Sequence, residues 1–193
     1  WLTQTETSEN LGVGTYMEHA RNYLKATVKS IKFALEHKTK KHDIQAGLTY
    51  RIENITEDSK EYEMRDSSGY SIPHTGEDLY MIYSLKAKNT LDANRLETYI
   101  QDTWRFSSKG EHTFFTLNYG IRFSHWNFNK ESIISPRISL GIVPAFNHDV
   151  TMRFATGIYY QAPFYKELRD TTTINGITYA TLNNKIKSQR SIH

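Results

Sequence analysis

The sequence contains no cysteine. That excludes a disulfide framework, a zinc–thiolate site and a cysteine nucleophile. It also suits a chain that crosses an oxidising compartment without pairing thiols. Long apolar runs are missing as well, and a membrane helix needs about 20 such residues in succession, so helical spanning is excluded. Charge of one sign is scarce: 24 Lys and Arg stand against 21 Asp and Glu, for a net charge of +3. The densest basic run, Lys38-Thr39-Lys40-Lys41-His42, reads as a solvated turn, and no nucleic-acid interface is expected. H-E-x-x-H, G-x-S-x-G, P-loop and G-x-G-x-x-G motifs are absent. Gly12-Val13-Gly14 is a fragment that belongs in a loop, and His148-Asp149 has no nucleophile motif beside it. No enzyme, cofactor or metal site is expected.

What the chain does have is alternation. Counting by twos along residues 112–124 gives Phe115, Leu117, Tyr119, Ile121 and Phe123 on one face. Thr116, Asn118, Gly120, Arg122 and Ser124 take the other. Strands divide side chains this way, because successive Cβ atoms point to opposite sides. A membrane strand needs only about 9–11 residues, half of them polar, so a chain that is 23% charged can still cross lipid as a β-barrel. Aromatics at 13%, including 13 Tyr, fit sheets with interfacial girdles.

The pattern predicts strands over 24–37, 43–57, 94–106, 112–126, 133–143 and 150–161, with one more beginning at 185–193. Short links fall at 38–42, 107–111 and 144–149. Long polar stretches fall at 1–23, 58–93 and 163–184, with 127–132 as a small member of that set. Short turns on one side and long loops on the other are the habit of membrane barrels. Strand parity then forbids 78–88 from crossing as a separate strand, leaving it as a strand extension or a local hairpin. His19, His74 and His125 are placed in outer loops, where solvation is their ordinary state. Tyr62, Tyr70 and Phe164 are loop aromatics to which no role is assigned, and the Asn54-Ile55-Thr56 sequon is read as chance.

Energetics choose the facing. Arg51, Arg122, Arg137 and Arg153 all fall on polar faces, and each of those faces also carries a glycine: Gly47, Gly120, Gly141 or Gly157. An arginine turned to lipid near mid-membrane costs roughly 2–4 kcal/mol. Four of them would cost on the order of 10 kcal/mol, comparable with a whole domain's stability. The four arginines are therefore the candidate lumen residues, facing a ligand or a stopper, and small wall residues would leave room for it. The competing fold is a soluble cell-surface β-sandwich binding carbohydrate or protein, with the apolar faces turned inward. Strand lengths of 11–15 residues count against it, since five or six is usual. So do the aromatic pairs near strand ends: Trp104 with Phe106, Phe114 with Phe115, Trp126 with Phe128, and Tyr159 with Tyr160.

Residues 11–24 (LGVGTYMEHARNYL), 96–106 (LETYIQDTWRF), 118–123 (NYGIRF), 135–144 (SPRISLGIVP) and 151–168 (TMRFATGIYYQAPFYKEL) together resemble the barrel of a TonB-dependent outer-membrane receptor of the Bacteroidetes kind. The resemblance implies an all-β, antiparallel, up-and-down transmembrane barrel of 22 strands closed by a plug. Residues 1–193 would form one partial barrel domain of about seven strands. It implies active import, across the bacterial outer membrane, of a scarce or large nutrient such as a ferric siderophore, cobalamin or an oligosaccharide. The implied partners are outer-membrane lipid, the receptor's own plug domain, the TonB complex and the small-molecule or glycan substrate. Both ends read as cut from something longer, with plug, TonB-contacting segment and closing strand outside the chain.

Overall fold

Period-two alternation resolves into strands in the computed structural model, which describes residues 16–65, 80–108, 110 and 112–193. The strands are β1 (Tyr16–Lys38), β2 (His42–Arg65), β3 (Tyr80–Ser107), β4 (Phe114–Trp126), β5 (Glu131–Val143), β6 (Met152–Gln161), β7 (Arg169–Ile174), β8 (Ile177–Leu182) and β9 (Gln189–Ile192). A 3-10 turn, Tyr165–Leu168, precedes β7. The main path through the sheet is β1-β2-β3-β4-β5-β6-β9, with β7 and β8 off it. The sheet is mostly antiparallel, as connections too short for a crossover require.

Three expectations are corrected. Residues 16–23 are strand, not loop. The polar connection expected over 58–93 is strand at 58–65 and from 80 onward. Of the two alternatives for 78–88, strand extension or local hairpin, the extension is found: from Tyr80 it is the leading part of β3, continuous with the strand expected at 94–106. Along 58–65 both faces turn polar while the strand continues, whereas the leading part of β3 keeps an apolar row, Met81, Tyr83, Leu85 and Ala87. The third correction is at 163–184, where a hairpin stands: Asn175 and Gly176 both adopt positive φ, 51° and 77°. That is the two-residue turn whose twist suits a hairpin. Gly12, Gly14, Tyr70 and His74 lie outside the described residues.

The chain forms two compact units, residues 1–26, 55–91 and 169–183 in the first, and 27–54, 92–168 and 184–193 in the second. In the second unit the register runs unbroken from β3 to β6. Leu117 faces Trp104 on β3 and Leu140 on β5, and Leu140 faces Phe154 on β6. One apolar face results, and it is open: Leu48 is 39%, Ile121 46% and Phe154 60% exposed. In a two-layer sandwich those side chains would be core. Among the described residues the largest fully buried side chains are only Leu91 and Leu168. After the 3-10 turn and the hairpin the chain is tied back to the β4–β5 turn. The Ser188 amide and hydroxyl both donate to Glu131, and Asn129 donates to the Ile186 carbonyl.

In the first unit β8 runs parallel to β3 over Leu85–Ala87 against Thr178–Ala180. A buried carboxylate fastens it. Glu57 is 4% exposed; it pairs with Arg169 Nη1 at 2.8 Å and accepts from Asn89 Nδ2 at 3.1 Å. The same Asn89 amide also donates to the Ala180 carbonyl of β8. Burying a charge is tolerated here because partner and hydrogen bonds are both supplied.

Candidate functional site: the polar wall

The second unit carries a continuous polar face, built from alternate positions of β2 to β6. Gly120 on β4 faces Arg137 on β5, and Arg137 faces Gly157 on β6. Arg122 lies two positions from Gly120, and Arg153 sits opposite Gly141, so these three arginines share one side. Arg51 joins them through Glu53, which stands 3.7 Å from Arg51 and 3.6 Å from Arg95 of β3. The register thus brings the four candidate arginines to one wall.

Amide and hydroxyl side chains run across that wall in rows. Gln45 donates to Glu36 at 3.1 Å, and Gln101 donates to Gln45 at 2.8 Å. Thr103 donates to Asn118 at 2.7 Å, and Asn118 to Ser139 at 3.2 Å. Cross-strand pairs of this kind each contribute roughly 0.2–1 kcal/mol. They also present donors and acceptors toward the concavity. A hollow of about 640 Å³ opens there, bordered by Tyr99, Asn118, Arg122, Arg137, Ser139 and Tyr159.

The arginines differ in how far they are committed. Arg122 pairs with Glu97 at 3.3 Å. Arg51 shares Glu53 with Arg95. Arg137 lies over the Tyr159 ring, 4.5 Å from its centroid, a cation–π contact that leaves charge available. Arg153 is exposed, and among the described residues no carboxylate lies within ion-pair distance of it. Arg137 and Arg153 therefore retain the unspent positive charge of the wall.

The wall glycines do not leave the room expected of them. A Cβ on Gly47 would lie 2.3 Å from the Tyr99 ring, and one on Gly120 would lie 2.7 Å from Gln101 Cβ. At Gly157 it would meet Arg137 Cγ at 3.1 Å. Each glycine accommodates a neighbour's side chain, a close approach only glycine allows. Gly141 alone among these four has ordinary clearance, 3.7 Å to the nearest atom.

Other residues fall elsewhere than the sequence placed them. Trp126 is buried on the arginine side, with Arg95 over its ring at 4.5 Å. Its even position puts it with Arg122, so it is not a girdle residue. Tyr159 likewise faces the wall. Trp104, Phe106 and Phe115 do stack in series on the apolar face, with centroids 4.5 and 5.1 Å apart. His19 lies in β1, stacked on Tyr62 of β2, and His125 lies in β4, 2.9 Å from the Ser132 hydroxyl; neither is in a loop. His148 donates to the His112 carbonyl at 3.1 Å. Phe164 is exposed ahead of the 3-10 turn.

Sequence reasoning missed a polar cluster on the apolar face. Asp102, 8% exposed, lies 2.7 Å from His42 Nδ1 and accepts from the Tyr119 hydroxyl at 2.9 Å. Asp102 and Tyr119 face each other in the register, and Trp104 stacks on His42. The signal was an aspartate among Leu96, Ile100 and Trp104; its partners are remote in sequence. Among the described residues no group of three or more His, Asp or Glu could hold a metal ion, and no helix is long and apolar enough to cross a membrane.

A family model described as "TonB dependent receptor-like, beta-barrel" covers residues 2–193. No curated protein and no solved structure matches significantly.

Proposed function

The chain belongs to the TonB-dependent receptor-like β-barrel family, and from that premise we propose that its sheet is an arc of a closed, plugged barrel of 22 strands in the bacterial outer membrane. The family is a non-catalytic one with a general role in outer-membrane transport. The proposed task is active import of a ferric siderophore, cobalamin or an oligosaccharide, driven through TonB acting on a plug, in a receptor of the Bacteroidetes kind. The observation that carries this reading is the two-faced sheet of the second unit. Leu48, Ile121 and Phe154 are open on one face, while charged and amide side chains line the other. Lipid outside and water or plug inside would satisfy both faces at once.

Strand length supports the same reading. A crossing strand needs about 9–11 residues, whereas β1, β2 and β3 have 23, 24 and 28. Their excess length would stand beyond the hydrocarbon, where both faces can be polar. Within the lumen, Arg137 and Arg153 are the proposed contacts for an anionic substrate or for plug carboxylates, with Arg51 and Arg122 held mainly by neighbouring glutamates.

The test is uptake. In a strain lacking the receptor, growth on each candidate nutrient as limiting source identifies the substrate. Wild-type receptor should restore that growth. Arg137→Ala combined with Arg153→Ala, present at normal outer-membrane level, should lower substrate binding about tenfold, the loss of one good charge-assisted contact of roughly 1.5 kcal/mol. Recovery of the wild-type protein in the soluble fraction would refute the membrane reading.

A further inference from the structure

We propose that the first unit binds a phosphate group on a row of three cations, Arg21, Lys60 and Lys86. Two contacts fix the row. The His19 and Tyr62 rings stack with centroids 4.9 Å apart. That sets His19 of β1 against Tyr62 of β2, and two residues along each antiparallel strand Arg21 meets Lys60. On the other flank Glu57 of β2 accepts from Asn89 of β3 at 3.1 Å, and three residues along each strand Lys60 meets Lys86. Adjacent strands are about 4.8 Å apart, so the three cations stand side by side across β1, β2 and β3.

Such a row is anomalous. Like charges directly opposite one another destabilise a sheet. On the polar wall of the second unit the facing arginines Arg51 and Arg95 have Glu53 between them. Here no carboxylate is interposed. Among the described residues Arg21, Lys60 and Lys86 have no ion-pair partner, and all three are exposed. Asp58 lies one rung away, in register with Lys88, and Glu61, which also borders the hollow, is held by Asn22. The row borders a hollow of about 780 Å³. The His19–Tyr62 stack forms one side of it, and Tyr23 and Asp58 form the other. Three convergent cations beside an open hollow suit a compact polyanion with several acceptor oxygens, and phosphate is that group.

Its carrier is either the headgroup of a phosphorylated outer-leaflet glycolipid or a free phosphate compound. In the sequence Lys60 has the even parity of Leu48, Tyr50 and Ile52 along β2, the series of the proposed lipid side. The glycolipid source rests on the membrane reading above; the phosphate site itself does not.

Full-length receptor in a non-ionic detergent should be titrated calorimetrically with inorganic phosphate, then with a detergent-dispersed phosphorylated glycolipid. Lys60→Gln combined with Lys86→Gln should weaken phosphate binding at least tenfold. Lys32→Gln combined with Lys41→Gln, the same change of charge elsewhere, should leave it unaltered. In phosphate-free buffer Lys60→Gln should raise the melting temperature, because it relieves repulsion; added phosphate should raise that of the wild type only. Glycolipid binding tenfold tighter than inorganic phosphate assigns the lipid source, and equal affinities assign the free compound. No phosphate binding, or equal binding by wild type and the Lys60/Lys86 variant, overturns the site.

Discussion

Glu57→Ala is expected to release the β7–β8 hairpin, at a cost of about 3 kcal/mol. Removing one member of a buried ion pair typically costs 3–5 kcal/mol, because the partner is left desolvated and unpaired. The lower end applies, since the Arg169 side chain keeps 27% of its surface exposed and can recover some hydration. Asn89 loses an acceptor in the same step, though it keeps the Ala180 carbonyl. Only three residues of β8 pair with β3, so the cost should appear as local opening and not as global unfolding. Hydrogen exchange at 178–180 should accelerate roughly a hundredfold, about what 3 kcal/mol implies, while amides of β4 and β5 stay protected. Glu57→Gln, which retains an acceptor for Asn89, should open the hairpin less.

Ile121→Arg is expected to destabilise the folded receptor in lipid by about 2–4 kcal/mol, the cost of a cation facing the bilayer interior. Ile121 is central in β4, faces Ile100 and Pro136, and is 46% exposed. Ala155→Arg is the matched control. Ala155 lies on the arginine side, opposite Ser139, and borders the hollow there. Its replacement should change stability by less than about 1 kcal/mol, as surface substitutions usually do. Denaturant unfolding of both variants in vesicles gives the comparison. Equal costs would remove the distinction between the faces.

The sequence was most legible where one face is apolar. β4, β5 and β6 were expected at 112–126, 133–143 and 150–161 and are found at Phe114–Trp126, Glu131–Val143 and Met152–Gln161. Leu117, Ile121 and Leu140 alternate there with polar residues, and the eye follows hydrophobicity. Along β2 beyond Asn54 the alternation becomes Thr56, Asp58, Lys60 against Glu57, Ser59, Glu61. Neither face is apolar, so the strand was invisible although its backbone is paired. The hairpin at 169–182 was legible and overlooked: β-branched runs flank Asn175-Gly176, a strong local hairpin signal.

For the wall, parity alone put Arg51, Arg122, Arg137 and Arg153 on one side, and the register agrees. The partners of Arg122 and Arg137 could not be read, because Glu97 and Tyr159 lie on other strands and depend on the stagger between them; Glu53 is two residues from Arg51 on the same strand, but its sharing with Arg95 of β3 depends on that stagger too. The purpose of the glycines was misread for the same reason. What fills the space beside Gly47 is Tyr99, and no pattern local to residue 47 announces it.

The central claim is that hydrocarbon covers one side of β4 and water or a plug the other. The absence of cysteine permits a direct test: single cysteines at each position from 115 to 124, carrying a polarity-sensitive fluorophore, in receptor reconstituted into vesicles. Positions 115, 117, 119, 121 and 123 should report an apolar, lipid-quenchable environment, and the intervening five a polar one that lipid-borne quenchers do not reach. A profile without a two-residue period, or one with the quenchable positions on the arginine side, would contradict the account.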